Sequence, residues 1–178
     1  MSLPLKIKDY AKYYKTEDYL FSDMADIIRA RIPIFITLEE LLYITSWKSP
    51  RNLHLVMENN NEDVIEITKI ALNRKEELEK IETLTSNIKG KRLKGVGVAI
   101  ASAILTIINP HQYGVIDYHA WKALYKEKKS LFSCKDYLKY LKDIRQIAQA
   151  ERVSPREIDK GLLVKDIGLA ERIIKPAE

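Results

Sequence analysis

The chain has 178 residues, 46% of them hydrophobic, and a formal net charge of +5, which suits one domain with a real core, or two small lobes with a cleft between them. Cys134 is the only cysteine, which excludes an internal disulfide, a cysteine zinc site and a four-cysteine iron–sulfur cluster. No apolar run reaches the roughly 18 residues of a membrane span, and the opening Met-Ser-Leu-Pro-Leu-Lys lacks the apolar stretch of a secretory signal, so a cytoplasmic, intracellular protein is expected.

Residues 5–15 set Lys6, Lys8, Lys12 and Lys15 among Tyr10, Tyr13 and Tyr14. Cations interleaved with aromatics can line a nucleic-acid groove; the commoner use is an amphipathic start whose tyrosines pack on the body. Ser22 and Asp23 lead into a short helix that ends before Pro33. Thr37 and Glu40 form a capping box, and Leu38, Leu41, Leu42 and Ile44 follow at helical spacing. Ser49 and Pro50 are an N-cap and first-position pair that opens another helix. Around this junction Trp47, Lys48 and Arg51 either touch DNA or flank a base pocket, or else Trp47 lies in the core and the two cations in solvent; the last reading is preferred. Asn61 is placed to cap a helix from 62 to about 72, with Val64, Ile65, Ile67, Thr68, Ala71 and Leu72 as its buried stripe. A charged helix over 75–84 turns Leu78, Ile81 and Leu84 inward. Apart from a short stretch at 32–36 there is no strand alternation, and there is no internal repeat. A compact all-α, multi-helix domain is expected.

The second half is the basic one. Residues 1–89 hold 13 Lys and Arg against 15 Asp and Glu, whereas 90–178 hold 17 against 10, an asymmetry that suits a polyanionic partner. Lys89, Lys91, Arg92 and Lys94 crowd the approach to Gly95-Val96-Gly97. Both glycines are free to turn sharply. The nearly apolar run 98–108 reads as a buried helix, and backbone N–H groups at its start form a ready site for a phosphate. Pro110 ends that helix. After a loop over 109–114, Asp117 stands between Val115-Ile116 and Tyr118-His119, where a lone carboxylate is a helix cap, a reactive group, or both. Ser133 or Asp136 opens a long helix to about 150, with Leu138, Leu141, Ile144, Ile147 and Ala148 inward. Ser154-Pro155-Arg156-Glu157 caps a further helix carrying Ile158, Leu162 and Leu163. Ile167, Leu169, Ile173 and Ile174 end the chain as a helix or a docked extension. His54, His111 and His119 are too far apart for a metal motif.

The stretch Leu93-Lys94-Gly95-Val96-Gly97, its apolar helix and Asp117 together resemble the hairpin and catalytic-aspartate region of the helix-hairpin-helix DNA glycosylases, the endonuclease III-like (HhH-GPD) superfamily. The likeness is firm over about 90–126, with the motif itself at about 84–108, and only architectural elsewhere. It implies base-excision repair: hydrolysis of the N-glycosidic bond of a damaged or mismatched base flipped out of duplex DNA. By this resemblance Asp117 would be catalytic. Gly95, Gly97, Val98, Lys91, Arg92 and Lys94 would hold DNA phosphate, and the base pocket would draw on Trp47, Tyr113, Tyr118, His119 and Trp121. The family's lyase-active members carry a lysine two positions after the second glycine, where this chain has Ala99, so the resemblance implies a monofunctional, water-using enzyme or a member that has lost activity. The expected partner is double-stranded DNA with a lesion, bound by a monomer. No metal and no nucleotide cofactor are implied, beyond a monovalent cation at the hairpin carbonyls of Leu93 and Val96. The competing reading is a non-catalytic helix-hairpin-helix module that binds DNA or protein.

Overall fold

The computed structural model describes residues 6–14, 18–88 and 90–168. Among them every regular element is helical, and the one extended pairing is an isolated antiparallel bridge between Ile88 and Lys91. In chain order the helices are α1 (Ile7–Ala11), α2 (Asp18–Phe21), α3 (Asp23–Arg29), α4 (Leu38–Lys48), a 3-10 turn (Pro50–Asn52), α5 (Leu53–Val56), α6 (Asn61–Leu72), α7 (Glu77–Thr85), α8 (Val98–Ile108), α9 (Tyr118–Tyr125), α10 (Cys134–Glu151) and α11 (Pro155–Ile167). No described helix is long and apolar enough to cross a membrane. Lys15, Lys89, Leu169, Ile173 and Ile174 lie outside the described residues.

The core is built around α8. A helix that is apolar on every side has no face for solvent and is enclosed by its neighbours; here α3, α4, α7 and α10 all pack on it. Only Ala99 and Ile108 of α8 are not buried. Its two hydroxyls meet backbone instead of water. Ser102 Oγ donates to the Ala99 carbonyl at 2.8 Å and Thr106 Oγ1 to the Ser102 carbonyl at 2.7 Å, which removes the cost of burying unbonded polar atoms. Each fully buried aliphatic side chain, such as Ile104, Leu84 or Ile44, contributes about 1.5–3 kcal/mol relative to exposure.

Local capping sets most helix starts as expected. Thr37 Oγ1 accepts from the Glu40 N–H and Glu40 reaches back to the Thr37 N–H; Ser133 and Asp136 do the same for α10; Ser154 caps α11 with Pro155 in its first turn. Four details differ from the expectation. The cap of α6 is Asn60, whose side chain takes the Asp63 N–H at 2.7 Å, so the helix starts one residue early. Helix α7 spans 77–85, and Leu78 stays 37% exposed on its rim. Ser49 makes no side-chain cap bond, and the chain after it forms a 3-10 turn before the short α5. On α10 the buried stripe runs through Tyr137, Tyr140, Leu141, Ile144 and Ala148, while Leu138 and Ile147 are only half-buried. The aromatic rings reach further inward than the expected leucine, and each hydroxyl finds a carbonyl: Tyr137 donates to Gly114 at 3.3 Å and Tyr140 to Val115 at 3.2 Å.

Candidate active site

The glycine loop, 86–97, joins α7 to α8. Gly95 has φ +76°, and a Cβ there would lie 2.9 Å from both Leu55 Cβ and Val56 Cγ2. Glycine is therefore required twice over, for the left-handed backbone and for the close approach to α5. Two asparagines tie the loop down. Asn59 accepts the Lys94 N–H at 2.8 Å and donates to the Lys94 carbonyl at 3.0 Å; Asn52 donates to the Gly95 carbonyl at 3.0 Å. Leu93 and Val96 point into the core. Gly97 corrects the expectation of two sharp glycine turns: its φ of −102° and ψ of −179° are ordinary extended backbone. It is the exposed N-cap of α8, has open space where a Cβ would be, and offers no capping side chain. The first N–H groups of α8 therefore have neither an intrahelical acceptor nor a capping side chain, at the positive end of the helix dipole. Val98 can contribute only its backbone there, because its side chain is buried.

The cations beside this loop are not all idle. Lys91 Nζ sits 2.6 Å from Asp63 and 2.7 Å from Glu66, and those hydrogen bonds hold its ammonium above the usual range while Lys91 lowers Asp63. Lys94 pairs with Glu58 at 3.1 Å. Arg92 is exposed.

Asp117 is fixed by the segment before it. Ser102 of α8 accepts the Ile116 N–H at 3.1 Å, and the buried Asp159 of α11 accepts the Val115 N–H at 2.5 Å. With Tyr137 and Tyr140 on the carbonyls, residues 114–116 are held by α8, α10 and α11 at once. Asp117 then caps α9, its Oδ1 accepting the Ala120 N–H at 2.7 Å. Its other oxygen, Oδ2, faces Lys48 Nζ at 3.5 Å. Both side chains are shielded, with exposures of 10% for Lys48 and 20% for Asp117.

Two open cavities meet at this pair. One, of about 430 Å³, is lined by Tyr14, Trp47, Lys48, Val115, Asp117, Arg156 and Leu163. The other, of about 520 Å³, is lined by Lys48, Ser49, Pro50, Arg51, Ala99, Asp117, Tyr118, His119, Ser130 and Phe132. Lys48 and Asp117 belong to both walls and so form the partition. Ala99 brings the first turn of α8 into the second cavity, so the carboxylate and the glycine loop's helix share one space.

Beneath the first cavity lies a second, buried charge pair. Arg156 bonds Asp159, and its guanidinium is held against the rings of Phe21 at 4.8 Å, Tyr14 at 5.2 Å and Trp47 at 5.7 Å. Burial pushes the Asp159 carboxyl up to about 7, against the pull of Arg156 and the Val115 N–H; Asp117 adds to the rise and Lys48 opposes it. In the second cavity's wall, His119 Nδ1 lies 2.8 Å from Asp166, which also takes Lys122 at 2.9 Å. Burial raises Asp166, but these two partners outweigh it and leave its carboxyl below the usual range.

Of the five expected base-pocket residues, Trp47, Tyr118 and His119 line the cavities. Trp47 is both wall and packing, its ring edge-on to Phe21 at 5.8 Å. Tyr113 and Trp121 are corrections. Tyr113 is buried under Arg145, which pairs with Glu77 of α7, so it is turned away from both cavities. Trp121 lies on the inner face of α9, 2% exposed, against Tyr125 at 4.2 Å and Phe132 at 5.4 Å. Sequence reasoning missed Asp159 and Arg156, and it left Lys48 in solvent. A signal for Lys48 existed: Leu41, Ile44, Thr45 and Lys48 share one helical face, and the first three are buried. No protein-family model matches the chain, and neither a curated protein nor a solved structure is significantly similar to it.

Proposed function

We propose that this protein is a DNA base-excision glycosylase of the helix-hairpin-helix kind, acting as a monomer on a damaged or mismatched base in duplex DNA. The observation that carries the reading is Asp117: a shielded carboxylate on the partition between two cavities, beside the open start of α8. Breaking an N-glycosidic bond develops positive charge on the sugar. A carboxylate with weak local screening stabilises that charge more than one in bulk water does. Extruding the nucleotide costs a few kcal/mol, so a grip on the flanking backbone is needed. The uncapped N–H groups at the start of α8, with Arg92 and the lysines able to exchange carboxylate for phosphate, suit that grip. The cavity walled by Tyr14, Trp47 and Arg156 offers flat faces on which a base can stack. With Ala99 at the position where the family's lyase lysine would stand, the first turn of α8 offers no amine there, and water is the simplest nucleophile.

The test is a panel of duplexes, each carrying one uracil, 8-oxoguanine or alkylated purine, scored for abasic sites. Base release that disappears in Asp117→Asn supports the reading, and no release from any lesion overturns it. One observation favours the second reading, a non-catalytic DNA-binding module: both oxygens of Asp117 already have partners, one the Ala120 N–H and one Lys48. That reading predicts salt-dependent binding with every base left in place.

A further inference from the structure

Lys48 stands in the walls of both cavities, yet hydrolysis by water gives it no task. A lysine at the end of a helix beside open loop would ordinarily reach for water. This one is drawn inward until it is 10% exposed, and its polar contact among the described residues is the long 3.5 Å approach to Asp117 Oδ2. A fully satisfied buried ammonium has three donors to place, so a single long contact is poor compensation for its desolvation. Lys48 does, however, border both cavities, and it shares the lining of one of them with Ala99. Whatever is bound against Asp117 is bound against Lys48 as well.

We infer that Lys48 is an amine nucleophile, placed by α4 beside Asp117, that attacks C1′ of the extruded nucleotide and forms a transient imine with the opened sugar. This rests on the glycosylase reading, replaces water in it, and makes Asp117 a proton carrier instead of a charge-stabilising carboxylate. Lys48 first passes one proton to Asp117, leaving a neutral amine and a carboxylic acid. The nitrogen lone pair forms the bond to C1′ as the bond from C1′ to the base breaks, its electron pair leaving on the base. The base takes the surplus proton from the new secondary ammonium. The C1′–O4′ bond then breaks, the nitrogen lone pair forms C=N, and Asp117 returns its proton to O4′. The products are a protonated imine, a free base and an Asp117 carboxylate, with the same total charge as at the start. Water releases the sugar as an aldehyde and restores Lys48. Asp117 thus serves as proton acceptor and donor, a use that fits a carboxylate with one oxygen fixed by the cap and the other turned to the amine.

The experiment uses a duplex with one abasic site, so that trapping does not depend on any lesion being recognised. On that substrate the amine adds to the C1′ aldehyde with loss of water, and sodium borohydride adds hydride to the resulting C=N, leaving a stable secondary amine. The expected result is a covalent protein–DNA complex whose cross-linked peptide contains Lys48, with yield falling at least roughly 100-fold in Lys48→Arg and Lys48→Gln. Lys48→Arg keeps a cation beside Asp117 but cannot form an imine, so a purely structural ion pair predicts that it behaves as the parent; thermal midpoints check that both variants fold. No complex, or a complex of equal yield in Lys48→Arg, overturns the inference. The lesion panel separates the two claims. Base released without any trapped complex leaves the glycosylase and removes the amine. A complex at Lys48 with no base released from any lesion leaves the amine, as an abasic-site lyase, and removes the glycosylase.

Discussion

Two groups of lysines show opposite solutions to the same problem. Lys91 and Lys94, on the glycine loop, are 45% and 56% exposed and sit on carboxylates of neighbouring elements at 2.6–3.1 Å. Lys48 is 10% exposed and faces one carboxylate at 3.5 Å. The exposed pairs are close but screened by solvent, so their net contribution is small and a phosphate can replace the acid at little cost. The inner pair is distant for an ion pair yet desolvated, so whatever it does is felt strongly. A cation that binds a backbone should be easy to re-partner, and a cation that does chemistry should be held in place.

The largest expected effect tests the inner pair. Asp117→Asn keeps a side-chain oxygen for the Ala120 N–H and so preserves the cap, but removes the charge; base release should fall roughly 100-fold or more with DNA affinity almost unchanged. Loss of affinity in step with activity would mean that the inner pair grips DNA and the contrast is false. Charge reversal of the outer group, Lys91→Glu with Arg92→Glu and Lys94→Glu, should do the converse. Affinity should drop, and the slope of log K against log salt should flatten by about 0.9 for each phosphate that the variant no longer neutralises. Equal salt slopes for parent and variant would detach the loop from DNA altogether.

The two glycines sharpen the comparison within the loop. Gly95→Ala meets both a left-handed backbone and the wall of α5, and should cost about 1–3 kcal/mol in urea unfolding. Gly97→Ala fits its extended backbone and open surroundings; its cost should stay at or below about 1 kcal/mol, that of an alanine at an N-cap. Any weakening of DNA binding by Gly97→Ala would then report a phosphate lying against the start of α8. The remaining prediction concerns the buried floor. Asp159 has its carboxyl raised to about 7 from an ordinary 3.8, so its contribution to stability is full below the ordinary value and is lost as pH rises through about 7. Asp159→Asn cannot ionise. The thermal-midpoint difference, variant minus parent, should therefore climb from about pH 4 to about pH 8, whatever its constant offset from the altered Arg156 contact. A flat difference would place Asp159 outside this linkage.

Much of this was legible in the amino-acid order. Thr37, Ser133 and Ser154 cap where their spacing put them, because a cap is a contact across three residues and needs little from the rest of the chain, whereas Ser49 makes no cap bond. Asp117 was legible for the same reason, and so was the buried α8. Trp121 and Tyr113 were not, because an aromatic near a carboxylate can turn to a core or to a cavity, and distant neighbours, Phe132 for the one and Arg145 for the other, decide which.

Sequence alone determined the all-helical character, the enclosed central helix and the carboxylate at the head of α9, since each follows from periodicity or short-range hydrogen bonding. Tertiary structure alone decided that Lys48 faces Asp117 and that Arg156 and Asp159 lie beneath them. These meetings join α4, α9 and α11, with Lys48 and Asp117 69 positions apart in the chain. No local rule relates such residues; only the shared packing of their helices brings one charge within reach of another.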